Sequence, residues 1–307
     1  MSLSPRLDDL LELRHQAHTL GLASFHLVNS TLSGLFASVF RGSGLDFDEV
    51  REYREGDDVR NMDWHVTART GTPHLKVFCE ERERTVMLCV DHGAHMNFGT
   101  HGTFKSIQAA RAAALLGWAA NNNHDRVGGL LYGGSENQGL QYFRPERSRR
   151  ALWRVLNTLT QRTSEDSIAE DCLLTALQHI ERGAWTGALV FVIGDFNRDM
   201  SALERTLGSL QQRHDVVLFP VDDPVDRDLP EMGTVVFENT AGDRVAINTD
   251  DEQGRKAYRA AWLDRRLVLQ KLANGLGIDV IPIRTDDEVH KAITEGLRQR
   301  LATRRFR

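Results

Sequence analysis

Two aspartates stand at the ends of apolar runs. Asp91 closes Val86-Met87-Leu88-Cys89-Val90, and Asp195 follows Ala188 to Ile193 through Gly194. In an open α/β sheet, ligands bind outside the carboxyl ends of strands, where the strand order switches. Both carboxylates would face one crevice if these two strands are neighbours. With Asp171, which precedes a helical pattern, they offer the oxygen donors that Mg²⁺ prefers. The alternative is that they cap the helices or loops that follow. His92, His95 and His101 crowd the loop after Asp91. Imidazoles beside a carboxylate favour Zn²⁺ or another transition metal, but this spacing matches no fixed zinc motif.

Other chemistry-bearing patterns are weaker. Lys105-Ser106 opens a helical stretch after a strand and a loop, as in a P-loop, but Phe104 stands where that motif needs glycine to wrap a phosphate. No G-x-S-x-G elbow is present, and no Ser/His/Asp set has triad spacing. Two classes of function stay open: a non-catalytic interaction module, and a metal-dependent hydrolase using Asp91, His95 and Asp195 with a metal-activated water. Arg298, Arg300, Arg304, Arg305 and Arg307 read as a solvated helix end whose cations complement the helix dipole. With 38 Lys+Arg against 43 Asp+Glu, the net charge of −5 carries no bias toward nucleic acid or anionic membrane.

These residues must be held by an α/β framework. An amphipathic helix from Leu3 to Leu20 opens the chain, with Gly21 ending it. Strands are expected at 86–90, 127–132, 188–193, 216–220 and 278–283, and helices at 104–123, 146–159, 171–182, 201–213, 252–274 and 286–301. Leu140 to Phe143 reads as an antiparallel edge strand after Gly133-Gly134, and 234–238 with 244–248 as a second hairpin. Such alternation implies a mostly parallel sheet with helices on both faces. The expected division is an N-terminal helix and charged segment, 1–83, and an α/β domain, 84–307. Cys79, Cys89 and Cys172 are an odd number without C-x-x-C spacing, which suits buried thiols in a reducing compartment. No uncharged stretch reaches the ~18 residues of a membrane span, so a cytoplasmic location without membrane insertion is expected.

From Gly42 the text Gly-Ser-Gly-Leu-Asp-Phe-Asp-Glu-Val-Arg51-Glu-Tyr53-Arg54-Glu-Gly-Asp57-Asp58-Val-Arg60-Asn-Met-Asp63-Trp64, then Ala68-Arg69, resembles the signature of domain-of-unknown-function family 58. Members of that family are MoxR-associated proteins with a von Willebrand factor A-like domain. The likeness continues through Phe78-Cys-Glu-Glu-Arg82, Asp125-Arg-Val-Gly128 and Thr285-Asp-Asp287, almost the whole chain. The resemblance implies a von Willebrand A-like sheet with the charged segment as an addition. It also implies a MoxR-type AAA+ ATPase partner and an unknown client protein. In relatives the first strand ends in D-x-S-x-S, which helps hold a divalent cation in a metal-ion-dependent adhesion site. Here Asp91-His92-Gly93-Ala94-His95 lacks both serines, and Gly194 replaces the serine common before the late aspartate. Either no cation is held, or Asp91, His95, Asp171 and Asp195 form a changed site for Mn²⁺ or Zn²⁺. Arg51, Tyr53, Arg54, Asp57, Asp58, Arg60, Asp63, Trp64 and Arg69 form a partner face or a paired structural network; dense opposite charge with aromatic anchors favours the network.

Overall fold

The computed structural model describes residues 4–20, 45–54, 59–80, 84–133, 139–161, 172–183, 187–198, 200–238 and 244–304. In chain order the elements are α1 (Leu7–Glu12), α2 (Arg14–Ala17), β1 (Leu45–Glu52), α3 (Trp64–Thr70), β2 (His74–Glu80), β3 (Thr85–Asp91) and α4 (Lys105–Asn122). Then follow β4 (Arg126–Tyr132), β5 (Leu140–Glu146), α5 (Arg149–Leu159), α6 (Cys172–Glu181), β6 (Leu189–Gly194), α7 (Ser201–Arg213) and β7 (Asp215–Asp222). The chain closes with α8 (Pro224–Arg227), β8 (Thr234–Glu238), β9 (Arg244–Asn248), α9 (Glu252–Leu276), β10 (Asp279–Val280), β11 (Ile283–Arg284) and α10 (Val289–Arg304).

The main sheet runs β10-β7-β6-β3-β4-β5, with β11 also on β7. All pairs are parallel except β4 with β5, which makes β5 the expected antiparallel edge. Because helices cover both faces, the central strands are apolar on both sides and read as unbroken runs rather than alternations. Leu88, Val90, Phe191, Ile193, Val217 and Phe219 face a core under α4, α5 and α10. The intervening Met87, Cys89, Val190, Val192, Val216 and Leu218 face a second core under α6, α7 and the end of α9. From β3 the chain moves to β4 on one side, and β6 returns to the other side of β3. The β3/β6 boundary is therefore the switch point, and the α/β expectation holds.

The N-terminal boundary falls elsewhere than expected. The chain divides into Met1–Val28 with Arg84–Arg307, and Asn29–Glu83. The opening segment belongs with the sheet because Leu10, Ala17 and Leu20 are buried in its core and the Trp118 indole donates to the Leu10 carbonyl at 3.1 Å. It is also not one helix: α1 and α2 are separated at Leu13, and a 3₁₀ turn, His18–Leu20, follows. The strand expected at 278–283 is split into β10 and β11. Pro282 has no N–H for the ladder, while the Ile281 amide still donates to Leu218 at 2.8 Å. The C-terminal arginines are not all solvated. Arg300 is 3% exposed and pairs with Asp215 and, at 2.6 Å, with Asp279.

In the unit 29–83, β1 and β2 form an antiparallel pair with an irregularity between Phe47 and Glu49. Asp63 caps α3 by accepting from the amides of His65 (3.0 Å) and Val66 (3.1 Å), and Gly71, at φ +76°, ends the helix in the left-handed region that favours glycine.

Candidate functional site

Parallel pairing of β3 with β6 puts Val90 opposite Ile193, so Asp91 and Asp195 emerge side by side at the switch point. Asp91 is 2% and Asp195 7% exposed. One Asp91 oxygen accepts from the Gly93 amide at 3.0 Å; the other lies 3.1 Å from His95 Nε2. The same nitrogen is 3.9 Å from Asp195 Oδ1. Of the loop's three histidines, His95 alone faces the carboxylates. His92 Nε2 lies 3.0 Å from the Gln161 carbonyl, and His101 is exposed beside Thr100. Their short loop turns each ring a different way, so no three-imidazole cluster forms. Asp171 lies outside the described residues.

The positions expected to carry hydroxyls are filled from other directions. A Cβ added to Gly93 would lie 2.5 Å from His95 Cε1 and 2.6 Å from its Nδ1. At Gly194 a Cβ would meet the Tyr132 hydroxyl at 2.5 Å and Asp91 Cβ at 3.1 Å. Tyr132, opposite Asp91 on β4, is 2% exposed. The imidazole and the phenol thus take the space that serine side chains would need.

Cations close the site. Lys105, 5% exposed at the start of α4, places Nζ 2.8 Å from Asp226 Oδ2 and 4.0 Å from Asp195 Oδ2, with the Phe98 ring 5.7 Å away. Arg198 Nη2 lies 4.0 Å from Asp91 Oδ2. Arg266 on α9 grips Asp222 with both Nε and Nη2 and donates to the Asp195 carbonyl at 2.7 Å. A cavity of about 40 Å³ lies between Lys105, Asp195, Asp222, Asp226, Tyr258 and Trp262. It has room for a few waters rather than a metabolite.

The charges tune one another. Burial pushes the Asp195 carboxyl up, but His95, Lys105, the Asn197 amide and Arg198 outweigh it and hold the group below its ordinary value. Burial pulls the His95 imidazole down, yet its bond to Asp91 and the charges of Asp91 and Asp195 win, so it is raised. Burial next to Asp91 pushes the Tyr132 phenol well up. The Cys89 thiol on β3 is driven up by burial and by Asp91, which leaves it an inert core group. Asp91, His95 and Asp195 each offer one ligand atom within 4.8 Å of the others, the set that could hold a metal ion among the described residues.

Sequence reading singled out the two aspartates and His95 but missed Tyr132, Arg198, Asp222, Asp226 and Arg266 as members of the site. It weighed Lys105 as a phosphate ligand, whereas its ammonium is spent on carboxylates. Nearby, Asp223 accepts from the Thr100 amide and hydroxyl (2.8 and 2.5 Å), the Thr285 hydroxyl (2.6 Å) and the Val225 amide (3.0 Å). That hub explains why Thr285 belongs to the signature: it ties the strand-end loops together.

The charged segment is more open than the network reading expects. Asp63 is buried, with Lys76 Nζ 3.6 Å away, and the Val66 amide chiefly holds its carboxyl below the ordinary range against burial. Trp64, however, is 69% exposed rather than an anchor. Arg54, Arg60 and Arg69 are exposed, and Arg51 and Tyr53 are half-buried. Asp57 and Asp58 lie outside the described residues.

The family model "Protein of unknown function DUF58" matches residues 49–268. Uncharacterized protein Mb1516 of Mycobacterium bovis and Uncharacterized protein Rv1480 of Mycobacterium tuberculosis are each 29% identical to the chain over 268 residues, covering 87% of it and 83% of the relative. Among solved structures, the chain is similar to the conserved hypothetical protein BatB from Bacteroides thetaiotaomicron at 15% identity and TM-score 0.45, over 72% of this chain and 99% of that one. It is also similar to a von Willebrand factor type A protein from Catenulispora acidiphila at 14% identity and TM-score 0.38, over 72% and 42%. With the family model spanning well over half of its length, the chain belongs to the DUF58 family of proteins of unknown function.

Proposed function

We propose that this protein is a non-catalytic interaction adaptor of von Willebrand A-like type. In this reading it acts in the cytoplasm with a MoxR-type AAA+ ATPase during assembly or maturation of a client complex, and its metal-ion-dependent adhesion site is degenerate. The observation that carries the reading is the internal filling of the site. A Mg²⁺ ion wants near-octahedral oxygen donors and keeps waters. Here the two serine positions of the strand-end motif are Gly93, where an added Cβ would meet the His95 ring, and His95 itself, while the serine position before Asp195 is Gly194, whose side-chain space holds the Tyr132 hydroxyl. Lys105 and Arg198 already lie within 4.0 Å of the carboxylates and would repel a divalent ion. The residues therefore do not fit the group that the fold family implies. The energy for remodelling would come from the ATPase, since the chain carries no Walker motif.

Exposed Trp64, Arg60 and Arg69 support the signature segment as the partner face, because aromatic and arginine side chains are the usual anchors of interfaces. Arg60→Ala and Trp64→Ala are expected to leave the melting temperature unchanged and abolish recovery of an AAA+ ATPase from native lysate. Failure to recover such an ATPase with the unaltered chain, across nucleotide states, would sink the partnership. The closeness of Asp91, His95 and Asp195 supports a second reading, a metal-dependent hydrolase. Sub-micromolar cation binding lost in Asp91→Ala, together with turnover in a phosphoesterase and peptidase screen, would establish it instead.

A further inference from the structure

α9 is 25 residues long, about 37 Å at the helical rise, yet Leu269 and Ala273 are its only buried residues. Tyr258, Trp262 and Arg266 line the inward side with them. The opposite side carries Ala260, Asp264, Leu267, Val268, Lys271 and Gly275, all exposed. Leu267 is 53% and Val268 52% exposed, and Leu263, at 42%, widens the apolar strip. Three features of this face are unexplained within one chain. Large aliphatic side chains meet water. Asp264 and Lys271 have no hydrogen bond or ion pair among the described residues, and seven helical positions, about 10 Å, keep them from reaching each other. Gly275 sits in the last turn of the helix with no described atom within 4 Å of an added Cβ, at a cost to helix stability that no contact among the described residues returns.

All three are answered by one operation. We propose that α9 is a homodimer contact in which two copies of this chain cross antiparallel about a two-fold axis between Leu267 and Val268. Such an axis sets Leu267 of one copy against Val268 of the other. It places Asp264 opposite Lys271 twice, once on each side, and Ala260 opposite Gly275, where two small residues let the backbones approach. The six positions lie within one sector of the helix centred away from the inward residues, so the pairing needs no rotation of α9. Self-complementarity of this kind, in which residue i meets j and j meets i, is the signature of an isologous two-fold interface. Charge complementarity selects a second copy over a purely acidic or basic partner, because the face carries one free charge of each sign.

A single helix pair is at the small end of stable interfaces, so the dimer is expected to dissociate in roughly the tens-of-micromolar range. Sedimentation velocity of the full chain over ~1–200 µM tests this. The unaltered protein should pass from monomer to dimer. Asp264→Lys and Lys271→Asp should each weaken association about tenfold or more, since each converts two attractive pairs into two repulsive ones. The combined Asp264→Lys/Lys271→Asp chain should return to within about threefold of the unaltered protein, with far-UV circular dichroism unchanged throughout. A chain that stays monomeric over the whole range, a dimer indifferent to either reversal, or a double variant that does not recover would each overturn the proposal.

Discussion

Gly194 is where one missing atom does the most. Its absent Cβ leaves the place taken by the Tyr132 hydroxyl, 2.5 Å from where that carbon would stand. Gly194→Ser is expected to destabilise the fold by about 1–3 kcal/mol through overpacking, read as a lowered urea midpoint. Tyr132→Phe removes the obstructing oxygen, so the combined variant should regain a large part of the loss, a non-additivity expected of residues in contact. Equal losses with and without the phenol oxygen would show that Tyr132 does not occupy that space. At this scale Asp91 and Asp195 were legible, because a carboxylate at the end of an apolar run must leave the sheet at its edge. Tyr132, Arg198, Asp226 and Arg266 were not, since they come from four separate segments with no local pattern linking them to the aspartates.

A second set of cross-ties between elements lies at the other end of the sheet from the site. Arg300 reaches from α10 to Asp215 at the start of β7 and Asp279 at the start of β10, and Arg84 Nη2 meets Asp215 at 3.1 Å. Removing one partner of a buried charge cluster leaves the others uncompensated. Arg300→Met is therefore expected to cost about 2–4 kcal/mol, with Arg84 limiting the damage at Asp215. Differential scanning calorimetry would show it as a lowered, still cooperative transition; an unchanged transition would place Arg300 outside the folded core. α7, whose periodicity comes from one buried face, was legible almost to the residue at 201–213, and so was the β8–β9 hairpin, from the turn residues between its two runs, although β8 is at most half-buried and β9 is exposed throughout. The break at Pro282 and the stops after Glu12 and Ala17 were less so, because they depend on what the segment packs against.

For the whole molecule, acid sensitivity follows from which groups the fold holds away from water. His214 is 5% exposed with no hydrogen-bond partner for either ring nitrogen among the described residues, and burial together with Arg213 pulls its pKa below the ordinary 6.5. Burial does the same to His92, against the Gln161 and Leu159 carbonyls and Asp91. The unfolded chain then binds protons at these two sites before the folded chain does. Their contribution is complete above pH 6.5 and is lost as the pH falls through the lower folded values. His95, raised in the fold, acts in the opposite sense, its contribution present below 6.5 and lost on raising the pH. His214→Phe is expected to flatten the decline in urea midpoint between pH 7 and 5; an unchanged slope would assign the decline elsewhere.

Composition, strand-end carboxylates and apolar runs were enough to establish a mostly parallel α/β sheet, its antiparallel edge and the two aspartates at strand ends. These depend on short-range periodicity and on which faces of a strand are buried, and both are written locally in the chain. The pairing of β3 with β6 that sets those aspartates side by side came from the tertiary structure. Tertiary structure alone decided that the crevice is filled by the chain's own imidazole, phenol, ammonium and guanidinium groups. It also decided that the opening helices join the sheet and that α9 keeps an apolar, self-complementary face in water. Those outcomes rest on distances between residues as much as 161 positions apart, such as Lys105 and Arg266 around Asp195. Only closure of the strand order brings them together.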